Sequence, residues 1–145
     1  MQTVSHILQS KSNQNICSIV PTASVLYALQ VLAENQIGAV LVMNGDQIVG
    51  ILSERDYARK VERSGRSAST TLVSEIMTTS VICVSPLHTN EQCMALMTEN
   101  KLRHLPVIQN DKVIGLVSIG DLVKDIISEQ QFTIQQLEHY IHGER

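Results

Sequence analysis

Tryptophan is absent, Phe132 is the only phenylalanine, and aromatic side chains make up just 3% of the 145 residues. A platform for stacking the bases of single-stranded nucleic acid needs more rings than this. Cysteines are few: Cys17, Cys83 and Cys93, odd in number and without C-x-x-C spacing. That argues against a disulfide framework or a zinc site and fits a reducing compartment. Cationic charge is also short, with 11 Lys and Arg against 14 Asp and Glu for a net charge of −3. Bulk attraction to nucleic acid or to an anionic membrane is therefore not expected. No apolar run approaches the roughly 20 residues that span a bilayer. Met1-Gln2-Thr3-Val4-Ser5-His6 lacks the basic-then-apolar pattern of a signal peptide. The expectation is a soluble cytoplasmic chain, with an organellar matrix location left open. With 43% hydrophobic and 17% charged residues, the composition is that of an ordinary globular protein.

The chain contains an internal duplication. Shifted by 65 residues against itself, it aligns Pro21 with Pro86, Glu34-Asn35 with Glu99-Asn100, Val42 with Val107 and Asp46 with Asp111. In the same register Gly50, Ser53 and Asp56 meet Gly115, Ser118 and Asp121. Upstream the match resumes at a shift of 69, where Val4-Ser5-x-Ile7 meets Val73-Ser74-x-Ile76. The first copy carries about four extra residues in the polar loop Gln9 to Gln14.

Each copy reads as β-α-β-β-α. A strand (Ile16 to Val20; Val81 to Val84) ends at a proline, and a helix follows from Thr22 or Leu87. Two apolar runs come next, joined by Asn44-Gly45-Asp46 in the first copy and Gln109-Asn110-Asp111 in the second, which are turn signals. A further helix begins at Ser53 or Ser118. The expected fold class is α/β, two pseudo-symmetric repeats packed sheet to sheet as one module, because a copy of about 60 residues buries little core alone. The expected boundaries are residues 1–63 for the first repeat, 64–71 for a polar linker and 72–129 for the second repeat. Residues 130–145 form an additional C-terminal helix. Its Ile134, Leu137 and Ile141 share one face, with Tyr140 adjacent. That stripe reads either as packing on its own domain or as part of a dimer interface.

The strand-end pattern G-h-h-S-x-x-D, present in both copies, carries the chemistry. Glycine permits close approach of a ligand to the backbone, and a serine at a helix start leaves N–H groups aimed at an anion. An aspartate one turn later suits a ribose diol. Seen once, Ser-x-x-Asp would read as a capping box. Seen twice, in register and behind a glycine, it reads as a binding motif. Arg55 flanks the first motif and is a phosphate candidate, whereas Lys60 and Arg63 read as a solvated face. His139 and His142 read as a surface pair, and Cys93 as core. No nucleophile triad or metal-ligand cluster is present in the sequence, so neither an enzyme nor a metal is expected.

These motifs, with Arg103-His104-Leu105-Pro106-Val107 and Ile76-Met77-Thr78, make the chain resemble a tandem cystathionine-β-synthase-type (CBS) repeat protein of the small stand-alone kind. The resemblance covers roughly residues 3 to 129. It implies a regulatory module that binds an adenine nucleotide (AMP, ADP, ATP or NAD class) in clefts between the repeats and signals through a homodimer. One cleft would be defined by Ser118 and Asp121 with a wall from Asn15, Ile16, Cys17 and Ile37. The other would be defined by Ser53 and Asp56 with Val81, Ile82 and Leu102. Arg103 and His104 match basic residues that meet phosphates in the family. Gly38 and Ala39 stand at the corresponding positions of the first copy, so the two sites are expected to differ. A second reading is a constitutive dimerising adaptor that regulates a partner protein and has vestigial clefts.

Overall fold

The computed structural model of the protein describes residues 2–11 and 16–141. Asn15, His142 and part of the polar Gln9 to Gln14 loop lie outside the described residues. The elements run α1 (Val4–Ser10), β1 (Ser18–Ile19), α2 (Val25–Asn35), β2 (Ala39–Asn44), β3 (Gln47–Ser53) and α3 (Glu54–Tyr57). A π-helical turn, Ala58–Glu62, prolongs α3. Then come α4 (Val73–Ile76), α5 (Asn90–Asn100), β4 (His104–Gln109), β5 (Lys112–Ser118) and α6 (Ile119–Ile141). The fold is mixed α/β with two sheets, β1-β2-β3 and β4-β5.

Local chemistry places the ends of these elements. Helix α2 starts at Val25 rather than Thr22, because Ser24 is the residue whose side chain accepts from Tyr27 N. Thr89 accepts from Gln92 N in the same way, so α5 starts at Asn90 rather than Leu87. Both helices close on a left-handed residue, Gln36 (φ 53°) and Lys101 (φ 56°). The next amides, Ile37 N and Leu102 N, turn back to Leu32 O and Met97 O. The second hairpin turns through Asn110 (φ 53°) and Asp111 (φ 63°), as a type I′ loop requires.

Two strand expectations are corrected. The Ile16 to Val20 strand shrinks to β1, which pairs parallel with β2 at Ser18↔Leu41 and Ile19↔Val42. The expected strand Val81 to Val84 is reduced to one parallel bridge, Val84↔Val107. Val81 N bonds back to Thr79 O, so the chain is still turning there and reaches β4 only at Val84. The expected C-terminal helix is present as the far part of α6, one uninterrupted helix of 23 residues as far as it is described.

The chain divides into two compact units that cut across the sequence repeats. The Asp56 unit holds described residues 16–83 and 110–114, and the Asp121 unit holds 2–11, 84–109 and 115–141. The leading helix of each repeat is exchanged. In the Asp121 unit Val4 N bonds to His88 O, Ser5 N to Pro86 O and Asn90 N to Gln2 O. In the Asp56 unit Val73 N bonds to Ala23 O, Ser74 N to Pro21 O and Val25 N to Thr71 O. These are the same three bonds at duplicated positions, so α1 caps the second repeat's strands and α4 caps the first's.

The Asp56 unit is centred on Ile19, Val25, Ala28, Leu32, Val40, Val42, Leu52, Val61, Val73 and Ile76. In the Asp121 unit Val4, Ile7, Cys93, Met97, Leu105, Val107, Val117 and Leu122 are buried. Among the described residues no helix is long and apolar enough to cross a membrane.

Candidate functional site

Both Ser-x-x-Asp motifs sit where a strand runs directly into a helix, and both close a reciprocal cap. At the first, Ser53 N donates to Asp56 Oδ2 (3.0 Å) and Asp56 N donates to Ser53 Oγ (3.1 Å). At the second, Ser118 N donates to Asp121 Oδ2 (2.8 Å) and Asp121 N to Ser118 Oγ (3.2 Å). The capping box is therefore real in both copies. It occupies one carboxylate oxygen of each aspartate.

The other oxygens differ. Asp56 Oδ1 accepts from Thr78 Oγ1 (3.3 Å) and pairs with Lys60 Nζ (3.3 Å). Asp121 pairs with Lys11 Nζ through Oδ2 (3.0 Å), and its Oδ1 has no hydrogen-bond partner among the described residues. Each lysine is held a second time by a backbone carbonyl: Lys60 by Ile76 O (2.8 Å) and Lys11 by Leu116 O (2.8 Å). Lys60 is thus engaged with the motif rather than merely solvated.

The motif glycines have a packing role. A Cβ at Gly50 would lie 2.6 Å from Met77 Sδ and 3.0 Å from Thr78 O. At Gly115 it would lie 2.7 Å from Leu8 Cδ2. Leu8 and Met77 are duplicated positions on or just after the exchanged helices. The absent side chains thus let those segments reach the strands and deliver Lys11 and Thr78 to the aspartates.

In the Asp121 unit, His104 is half-buried near Asp121, Lys11 and Arg103. Burial pushes its pKa below the ordinary 6.5; Asp121 opposes this, while Lys11 and Arg103 add to it. This favours the neutral imidazole over the imidazolium. Arg103 is exposed.

The other sequence candidates fall as follows. Arg55 is exposed on α3. Cys17 and Ile37 are partly buried against the Asp56 unit's core, and Ile16 is exposed in that same unit. Val81 and Ile82 are half-buried there too, while Leu102 belongs with Asp121. The structure thus gathers Ser118, Asp121, His104 and Arg103 in one unit and Ser53, Asp56 and Arg55 in the other. Burial raises the thiol pKa of Cys83 and Cys93, which favours the thiol over the thiolate. Among the described residues no group of three or more His, Cys, Asp and Glu could hold a metal ion.

Sequence reasoning missed Lys11. Its duplicated position is Ser80, so self-alignment gives it no signal.

The comparison with known proteins agrees with this duplicated geometry. The family model described as "CBS domain" matches residues 4–63 and again 73–128. The chain belongs to the CBS-domain family. The CBS domain-containing protein CBSX3, mitochondrial, from Arabidopsis thaliana is 38% identical over 97% of this chain and 72% of its own. A solved protein with CBS domains from Burkholderia ambifaria MC40-6 superposes with a TM-score of 0.86 at 51% identity, covering 92% of this chain and 99% of the other. The CBS domain pair of protein MJ0100, solved with 5′-methylthioadenosine and S-adenosyl-L-methionine, is alike in fold, with a TM-score of 0.77 at 19% identity over 89% of this chain and 98% of the other.

Proposed function

We propose that this CBS pair is a regulatory sensor of an adenosine-containing ligand, an adenine nucleotide or NAD, held at its two Ser/Asp motifs. The observation that carries the reading is the asymmetric use of the motif aspartates. Asp121 keeps one carboxylate oxygen unengaged by described residues at the first turn of a long helix, as a ribose diol would require. Ser118 stands beside it at the helix start, where backbone N–H groups favour a phosphate. Arg103 adds cationic charge in the same unit. Asp56, with both oxygens engaged, makes the weaker site. The bound ligand of the MJ0100 pair shows that this fold accepts adenosine chemistry in that protein. The reading is of a regulatory module rather than a catalyst, acting in the cytoplasm or an organellar matrix.

Isothermal titration with AMP, ATP, NAD and S-adenosylmethionine tests it. At least one should bind, and Asp121→Asn should weaken it by about tenfold or more, since a charged acceptor is lost. The asparagine retains an acceptor for the cap. Absence of heat with all four ligands would sink the proposal.

The signal would be read through a homodimer. Exposed apolar residues on α6 recur at Val123, Ile127, Ile134, Leu137 and Ile141, with Gln130 at the intervening position. The steps alternate four and three, the seam of a helix that pairs with another helix. Ending the chain after Glu129 should convert a dimer to a monomer by light scattering while ligand binding persists. If the truncated chain stays dimeric, α6 is not the interface. If ligand binding is absent and a protein partner depends on this stripe, the adaptor reading replaces the sensor.

A further inference from the structure

Both motif aspartates carry a lysine, and the two lysines come from unrelated places. Lys60 lies four residues after Asp56 on the same helical segment. The duplicated position after Asp121 is Asp125, whose Oδ2 accepts instead from Asn90 Nδ2 (2.9 Å). The second motif obtains its cation from Lys11, just past the exchanged helix α1. The position duplicated from Lys11 is Ser80. Descent from a common repeat does not explain two ammonium groups reaching the same carboxylate by different routes. In both cases the ammonium is also tied to a main-chain carbonyl, which fixes it beside the motif. Neither lysine is needed to close the cap, which Ser53 and Ser118 complete with their own aspartates.

We infer that Lys11 and Lys60 are specificity-determining residues that make the motifs select a nucleoside phosphate over an uncharged or cationic nucleoside. The inference rests on the adenosine-ligand reading above and narrows it to one charge class. The ammonium stands 3.0 Å (Lys11) or 3.3 Å (Lys60) from the carboxylate that would hold a ribose, within reach of a phosphate carried on that ribose. Lysine is a point charge on a flexible stem, so it turns toward a phosphate without leaving the site. A neutral nucleoside meets the same aspartate already paired to an ammonium and supplies no anion in return. A sulfonium ligand adds a like charge beside that ammonium. Charge complementarity thus favours phosphate at both motifs, although the surrounding residues differ.

The test is titration of the full chain with AMP and with adenosine, which differ only in the phosphate. Wild type should bind AMP at least about tenfold more tightly than adenosine, the scale of one charge-assisted hydrogen bond. In the Lys11→Met/Lys60→Met double variant that preference should fall to within about twofold, through weaker AMP binding alone. The Lys11→Arg/Lys60→Arg variant should restore it. Lys11→Met alone, at the lysine paired with Asp121 in the stronger of the two sites, keeps the test available if the double variant does not fold. An AMP preference that survives the methionine substitutions overturns the inference and leaves the sensor reading standing. Wild type binding both ligands equally has the same meaning. Binding of neither ligand overturns the inference, while the sensor reading falls only if ATP, NAD and S-adenosylmethionine give no heat either.

Discussion

Leu122→Ala is expected to destabilise the protein by about 2–5 kcal/mol, the range for emptying a fully buried leucine site. Helix α6 is 23 residues long, yet Leu122, at 0% exposure, is its only buried side chain among those described. Its neighbours Val123 and Ile127 are exposed. Around the same point Asn90 Nδ2 donates both to Leu122 O (2.9 Å) and to Asp125 Oδ2 (2.9 Å). This apolar plug and this amide fasten the start of the helix together with the Lys11–Asp121 pair, and truncating the plug leaves a cavity that the anchored turn is poorly able to refill. The urea midpoint should fall with no change in the denaturant slope. A loss below about 1 kcal/mol would mean that the polar contacts alone seat the helix.

Gly50→Val should destabilise by about 3 kcal/mol, near the upper end of the range for overpacking. Gly115→Val should do less, although the two glycines hold the same place in their repeats. At Gly50 the new Cβ meets the main-chain oxygen of Thr78 at 3.0 Å as well as the Met77 side chain. That carbonyl is fixed, since Thr78 exchanges two hydrogen bonds with Ile51. At Gly115 the obstacles are Leu8 side-chain atoms, which move by changing rotamer. Thermal unfolding of the two variants side by side decides the matter. Equal losses would show that rotamer freedom at Leu8 is blocked.

The duplication was legible because it is written in residue identities at constant spacing, and it located both motifs, both hairpins and all four long or motif-bearing helices. The α/β class followed from the same letters, whereas the capping box, set below a binding motif in the sequence reading, is closed in both copies. What stayed hidden depends on which segments meet in space. The exchange of α1 and α4 leaves no periodic trace, because Val4 and Val73 would look alike whichever repeat they packed against. Gly50 and Gly115 were read as room for a ligand, since a sequence says that a Cβ is absent and not what fills its place; Leu8 and Met77 do. Lys60 looked like one more charge on a solvated face, and Lys11 stands opposite Ser80, so the repeat gave it no signal. Val81 to Val84 has strand composition but follows a turn too closely to pair over its length. The helix expected after Glu129 is continuous with the motif helix, and no glycine or proline after Gly120 interrupts it.

That continuity gives α6 the mechanics of a lever. Its fulcrum is the turn containing Asp121 and Leu122, and as an unbroken rod its 23 residues extend about 34 Å. A tilt of about 5° at the fulcrum sweeps the far end through about 3 Å, close to the width of a methyl group. Displacements at the aspartate too small to disturb the cap thus become, at Leu137 and Ile141, as large as the difference between one packing register and none.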